Sequence, residues 1–408
     1  MIAPMADLGT LLVLVLAGLA GPLLGFSRGW FVPVVAGEIM AGILVGPEVL
    51  GAIHPAGHTV SFLGEIGFAM LMLTVGMHLP LRDRRLASSL RGGALLAGVV
   101  CVLSIPGGLL AASLAGTGHA AIYAVVLASG SAAVLLPAFQ ETGLESALAI
   151  RVMAQVTIAD VITIVSVPVV LEPGRAGHAA LGAVLVALAA ALTLLLARAL
   201  SRQGWTHRAR KLSKARHWAL DLRLSLLVLF FLAWVAERGG TSILVAGFGA
   251  GVTVALIGGP KRLSTQVRGI ADGFFIPLYF VVLGARLDLA GLFGQTSILA
   301  LAVALLALNV LIRVLAGALA RVPVAAALAA SAQLGVPAAV ASLGLSEHVL
   351  SPAVATAIIA SALASLAVCT VGVDLLVRSD ALEPAARARP SVQTDAGSAD
   401  PNATPAAE

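Results

Sequence analysis

Apolar runs of about 20 residues follow one another from Leu8 to about Arg378, each long enough to cross a hydrocarbon core of about 30 Å. The chain is therefore read as an all-α polytopic membrane protein. Composition agrees: of its 408 residues 59% are hydrophobic and 11% charged, against about 25% charged in an average soluble domain. Mean hydropathy is +1.03. No soluble domain of useful size remains. Both cysteines, Cys101 and Cys369, lie inside apolar runs, so neither a disulfide framework nor a thiolate metal site is indicated, and redox chemistry is not expected. The first run follows Asp7 with no basic residue before it, which argues against a cleaved signal peptide and for a retained helix.

About thirteen transmembrane helices are expected, over approximately 8–26, 30–50, 59–79, 90–115, 119–140, 148–171, 177–200, 218–237, 240–258, 270–290, 295–319, 322–345 and 351–378. Placing alternate loops on opposite sides sorts the basic residues unevenly. One side receives Arg28, Arg82, Arg84, Arg85, Arg91, Arg151, the cluster from Arg198 to Arg223, Lys261, Arg262, Arg268, Arg321, Arg378, Arg387 and Arg389. The other receives only Arg175, Arg238 and Arg286. Because Lys and Arg concentrate in short cytoplasmic loops, the N-terminus is expected outside and the C-terminus in the cytoplasm, with the chain integral to the cytoplasmic (inner) membrane. The basic loop 201–217 joins two membrane helices and has few aromatic residues, so it reads as a topology determinant touching anionic lipid rather than as a nucleic-acid site. Residues 379–408, rich in Ala, Pro, Ser and Asp, are expected to be a disordered cytoplasmic tail.

Internal repeats point to a transporter. The second helix contains VAGEIMAGILVGP and the ninth LVAGFGAGVTVALIGGP, aligning Ala41-Gly42-Ile43-Leu44-Val45 with Ala250-Gly251-Val252-Thr253-Val254. The third helix, EIGFAMLMLTVGMHLP, has a looser echo in the tenth, DGFFIPLYFVVLGARLDL. In both cases the copies are an odd number of helices apart and must cross the membrane in opposite directions. Inverted-topology repeats are characteristic of secondary transporters, whose sites lie near the midplane where the repeats meet. The expected organisation is a transmembrane domain over 1–378, with repeats at about 8–171 and 218–378 joined by a linker helix at 177–200 and the basic loop. The same offset links two interrupted helices. The fifth carries Ser129, Gly130 and Ser131 followed by Pro137; the twelfth carries Gln333, Gly335 and Pro337. Broken helix ends present free carbonyls and amides to an ion.

Charge inside the membrane carries the chemistry. Asp160 falls in the middle of its apolar span, where insertion scales place an ionised Asp at roughly +2.5 to +3.5 kcal/mol. Arg313 precedes Arg321 by eight residues, which buries it by roughly 12 Å. It is expected to approach Asp160 or the broken helix ends. Thr157 and Thr163 lie three residues to either side of Asp160 and share roughly its face, so their hydroxyls are candidate ligands. A carboxylate with hydroxyl, carbonyl and water oxygens suits a hard cation such as Na⁺; no transition-metal cluster and no cofactor is indicated. Glu38 and Glu65 are also intramembrane and are candidates for lining an aqueous funnel.

Taken together, GEIMAGILVGPEVLG (37–51), FLGEIGFAMLMLTVGM (62–77), FFIPLYFVVLGARLDL (274–289) and the order of the interrupted helices resemble the monovalent cation:proton antiporter superfamily, especially its Kef-like branch. The resemblance covers roughly residues 8–378. It implies the sodium/proton antiporter fold, with the fifth and twelfth helices broken and crossing, an ion-binding aspartate at Asp160 and a basic partner at Arg313. It further implies an elevator-like antiporter, dimeric through its first helix, where Ala17, Gly21 and Gly25 form a small-residue stripe. The partners implied are Na⁺ or K⁺ and H⁺, the lipid bilayer and a second copy of the chain.

The chain departs from that pattern in one informative place. Relatives carry two adjacent acids, Asn-Asp or Gln-Asp; here the pair is Ala159-Asp160. Arginine keeps its proton, so Arg313 is not a proton carrier. One titrating carboxylate remains, and the expected cycle exchanges one cation for one proton with no net charge moved. The alternatives are a sodium-coupled organic solute transporter of related fold and, less well supported, an ion channel, for which no filter-like loop appears.

Overall fold

The computed structural model describes residues 8–25, 34–78, 84–144, 146–202, 220–257 and 261–387. The basic loop 203–219 and the tail 388–408 lie outside the described residues. In chain order the helices are α1a (Leu8–Gly18) and α1b (Ala20–Gly25), α2 (Val34–Val45), α3 (His58–His78), α4 (Arg84–Ala115), α5a (Ala120–Ala128) and α5b (Ala132–Thr142), α6 (Ala147–Leu171) and α7 (Ala176–Arg202). They continue as α8 (Leu220–Arg238), α9 (Ile243–Ile257), α10 (Lys261–Ile270, running through a π-helical turn Ala271–Phe275 into Ile276–Gly284), α11 (Thr296–Leu319), α12a (Val324–Ala329), α12b (Gly335–Ser346) and α13 (Pro352–Arg387). Among the described residues eight spans are long and apolar enough to cross a membrane, and shorter apolar helices accompany them. The protein is an integral membrane protein.

Three expectations need correction. The tenth helix begins at Lys261, ahead of the expected 270, because its first ten residues, KRLSTQVRGI, form a polar helical stretch of nearly three turns that a hydropathy reading passes over. It also ends at Gly284 rather than 290. The last helix continues through Ser379 to Arg387, into the stretch expected to be disordered. The small-residue stripe of the first helix is used within the chain: a Cβ on Gly21 would stand 2.6 Å from Val34 O and 2.8 Å from Glu38 Cγ, both on α2. Ala17 is buried, whereas Leu12, Leu16, Leu19 and Leu23 of the same helix are exposed.

The helices pack as two bundles. α4, α5, α6, α11, α12 and α13 form one; α1, α2, α3, α9 and α10 form the other, with α7 and α8 against α9. The repeated glycines explain the second bundle. A Cβ on Gly284 of α10 would stand 3.1 Å from Gly42 Cα of α2, and one on Gly251 of α9 would stand 2.8 Å from Gly76 Cα of α3. The aligned positions Gly42 and Gly251 thus make equivalent backbone contacts in the two halves, α2 against α10 and α9 against α3. With no hydrophobic force between helices in lipid, such close approach supplies the packing.

The two interruptions are real breaks. At the first, Ser129 (φ −67°, ψ 155°) and Ser131 (φ −151°, ψ 91°) are extended. Gly130 is required there, because a Cβ would stand 2.7 Å from the Val156 side chain on α6. The second break separates Ala329 from Gly335, and Pro337 falls in the first turn of α12b, where its missing N–H costs nothing.

Replacing Gly251 with Val is expected to lower the thermal stability of the detergent-solubilised protein by about 1–3 kcal/mol or more, the usual cost of overpacking. Gly98→Ala on α4, whose Cβ would meet nothing within 4 Å, is expected to be neutral or slightly stabilising. Thermal unfolding followed by size-exclusion chromatography checks both; equal behaviour of the two variants would refute this packing.

Candidate functional site

Asp160 lies in the middle of α6 and is 3% exposed. Its carboxylate faces the break in α5: the Gly130 N–H donates to Oδ1 at 3.2 Å and the Ala132 N–H to Oδ2 at 2.9 Å. The first amides of a helix have no intrahelical acceptor, and Ser131, which precedes α5b, provides no side-chain cap. Asp160 takes that role from a neighbouring helix. It places a negative group at the positive end of the α5b dipole.

The opposite end of the break is met by opposite charge. Arg313, on α11 and 2% exposed, donates through Nη2 to Ala128 O at 3.4 Å and to Ser129 O at closer range. Gln333, from the break in α12, donates through Nε2 to Val126 O at 2.6 Å and to Ser129 O at 3.3 Å. The carbonyls at the end of α5a are thereby satisfied by a guanidinium and an amide. Asp160 and Arg313 are each bonded to the broken helix, and among the described residues no ion pair within 4.0 Å joins them.

Asn309, Ser331 and Ser365 complete the arrangement, and the sequence reading passed over them. Asn309, one turn before Arg313 and fully buried, donates through Nδ2 to Ser331 O at 2.8 Å; its Oδ1 accepts from Arg313 Nε at 3.4 Å. The Gln333 N–H donates to Ser365 Oγ of α13 at 3.0 Å. Asn309 carried a usable signal, an amide at i−4 from a buried arginine in an otherwise apolar helix. Ser365 carried none, since serine is unremarkable in a packed membrane helix.

The other expected site residues divide. Ser129, Gly130, Ser131 and Gln333 lie at the breaks beside Asp160 and Arg313. Gly335 opens α12b and faces Met72 and Val75 of α3 across 3.9 Å from its Cβ position. The Thr163 hydroxyl donates to Ala159 O at 2.8 Å and to Asp160 O at 3.2 Å, so its proton is bound within its own helix. Thr157 Oγ1 is buried without a hydrogen-bond partner, as are Gln155 Nε2 and Arg313 Nη1. Buried polar atoms are normally paired, and an unpaired hydroxyl three residues from Asp160 is chemically able to bind a cation. Glu38 is 3% exposed on α2, against Gly21 and within electrostatic range of Asp272. It belongs to the other bundle. Glu65 is exposed and lines a cavity of 1080 Å³ together with Glu172, Arg175, Trp234, Glu237 and Glu347. Pro168 also lines that cavity; Asp160 lies eight residues, about 12 Å, further along α6.

The family model described as "Sodium/hydrogen exchanger, transmembrane" matches residues 11–379. A probable Na⁺/H⁺ antiporter 3 from Methanocaldococcus jannaschii is 24% identical over 274 residues, covering 65% of this chain and 69% of that protein. The glutathione-regulated potassium-efflux system protein KefC of Salmonella newport is 28% identical over 268 residues, 62% of this chain but only 41% of KefC. Among solved structures, the sodium proton antiporter MjNhaP1 from Methanocaldococcus jannaschii superposes with a TM-score of 0.62 at 17% identity, covering 90% of this chain and 96% of that one. That likeness establishes the fold.

Arg313→Leu would leave the Ala128 and Ser129 carbonyls without their charged donor. Hydrogen bonds to charged groups contribute about 1.5–3 kcal/mol each, so a clear drop in thermal stability is expected in detergent. Arg313→Lys, which offers an ammonium without the planar fork, is expected to fall between. An unchanged melting temperature in Arg313→Leu would refute the capping role.

Proposed function

The chain belongs to the sodium/hydrogen exchanger family, and we propose that it exchanges one monovalent cation, Na⁺ or K⁺, for one H⁺ across the cytoplasmic membrane, with both ions competing for Asp160 and no net charge moved. The observation that carries this reading is the setting of Asp160: a buried carboxylate at a broken helix, bonded only to backbone amides. The basic residue nearest it in function is committed to carbonyls instead. Ala159 is fully buried and offers no second acid.

Charge accounting follows from these groups. Arg313 stays protonated throughout. Asp160 binds either a proton or a monovalent cation, and each neutralises its single negative charge. The site then has the same net charge in both loaded states, so whatever charge the bundle carries one way it carries back the other, and no net charge moves per cycle. Thr157 Oγ1, the carbonyls at the break and water are the neutral oxygens available to complete the shell of a hard cation. Glu65 on the cavity wall fits a role in gathering cations toward the site.

Movement would require the two bundles to slide, as the resemblance implies. Among the described residues polar bonds cross between them: Tyr279 OH donates to Ala338 O at 3.0 Å, and Arg286 Nη1 to Ser346 Oγ at 3.2 Å. In this reading the N-terminus is outside, the C-terminus cytoplasmic and the assembly a homodimer. The exposed leucine face of α1 fits the dimer contact better than the stripe already occupied by α2. Relatives named for Na⁺ exchange and for K⁺ efflux support either cation.

Purified protein in vesicles loaded with a pH-sensitive dye, exposed to Na⁺, K⁺ or Li⁺, tests the assignment. Asp160→Asn is expected to reduce cation-driven proton movement at least tenfold, about 1.4 kcal/mol or more in transition-state terms. Proton exchange as fast as the wild type would make the Asp160 assignment wrong. In the same vesicles an imposed membrane potential without chemical gradients is expected to drive no exchange; voltage-driven exchange would refute electroneutrality.

A further inference from the structure

Asn309 is bonded at both ends of its amide, and neither bond is to Asp160. Its Nδ2 holds Ser331 O in the second break, and its Oδ1 receives Nε of Arg313. The arginine it touches carries a charge that proteins do not neutralise. It also has a buried Nη1 with no partner. A buried guanidinium with a spare donor is drawn to any carboxylate within reach, and a charge-assisted Arg–carboxylate pair is among the strongest contacts available. If Arg313 closed onto Asp160, the pair would occupy the carboxylate in place of a cation or a proton.

The structure shows the guanidinium held elsewhere. Nη2 is committed to the carbonyls of Ala128 and Ser129, while Nε is steered by Asn309, which is itself anchored to the α12 break. We infer that Asn309 is a positioning residue that restrains Arg313 from closing onto Asp160, and so keeps the carboxylate open to its transported ions. The inference rests on the reading of Asp160 as the ion site. It also gives the crossing of the two breaks a use: the anchor for the arginine comes from α12, so the restraint holds only while both breaks are in register.

A simpler role, capping α12a through Ser331, makes different predictions. Asn309→Asp keeps an acceptor for Arg313 Nε but loses the donor to Ser331; Asn309→Ala loses both. If the restraint operates, Asn309→Ala frees the arginine to compete with the cation. Its KM for the cation in reconstituted vesicles is expected to rise about tenfold or more, with the maximal rate within about threefold of wild type, and Asn309→Asp to return KM to within about threefold. In an Arg313→Gln background the same Asn309→Ala change is expected to move KM by less than about twofold, because there is no guanidinium left to restrain.

A capping role alone would lower the maximal rate or the amount of folded protein in Asn309→Ala and Asn309→Asp alike and leave KM unchanged; that outcome overturns the inference. Should Asn309→Ala not fold, Asn309→Leu, with the same number and branching of side-chain heavy atoms and without either polar group, carries the same KM prediction. Asp160→Asn measured alongside separates the two claims. If that variant exchanges ions like the wild type, the ion-site reading fails; if it is inactive and Asn309→Ala has a wild-type KM, the positioning role of Asn309 alone fails.

Discussion

The carboxylate of Asp160, bonded to the amides of Gly130 and Ala132, is the contact on which the broken helix α5 and the bundle around it depend. A helix broken inside a membrane leaves amides at one end and carbonyls at the other, each costly to leave bare in hydrocarbon. Here the amide end takes a carboxylate and the carbonyl end takes Arg313 and Gln333. The broken helix is thus what makes two buried charges tolerable, and the charges are what make the break tolerable. Each charge faces the end of the helix dipole that suits it, without the two being locked together as an ion pair.

In the proposed exchange a single acid alternates between two ions, and that separation bears on how it could. A carboxylate in a direct pair with arginine would be occupied; one held only by neutral amides keeps lone pairs available. The second break supports this indirectly. Gln333 reaches from it to the first break, and Asn309 ties it to Arg313, so the two interruptions form one hydrogen-bonded unit rather than two separate defects. The corresponding amide in the second break, that of Gln333, is capped by the hydroxyl of Ser365. The half of the molecule that lacks an acid there uses a neutral group for the same backbone task, and in the proposed exchange only one crossing carries an ion.

Much of this was legible in the sequence, for physical reasons that can be named. The apolar runs anticipated the helices, because hydrocarbon thickness constrains their length. The breaks were visible because Gly130 and Pro337 disrupt helices, and Asp160 and Arg313 because charges in apolar spans are expensive. Their partners were not visible. Whether Arg313 would meet Asp160 or the helix ends depends on angstrom-scale placement of α11 against α5, which periodicity does not encode. Asn309 could be picked out as an amide one turn before a buried arginine, but the bonds it makes depend on neighbours that periodicity does not encode. The stripe at Ala17 and Gly21 showed close packing but not the partner, which is α2 of the same chain. The start of α10 is not legible because its first ten residues are polar, and hydropathy reports the span rather than the helix.

The proposed exchange depends on competition at one carboxylate. Its most direct measurement is cation binding to the purified protein by titration calorimetry, repeated in two buffers of different ionisation enthalpy so that proton release can be counted. Competition at Asp160 predicts close to one proton released per cation bound when the pH is low enough for the site to be protonated beforehand, and neither binding nor release in Asp160→Asn. Cation binding at that pH with no proton released, or with undiminished affinity in Asp160→Asn, would contradict it.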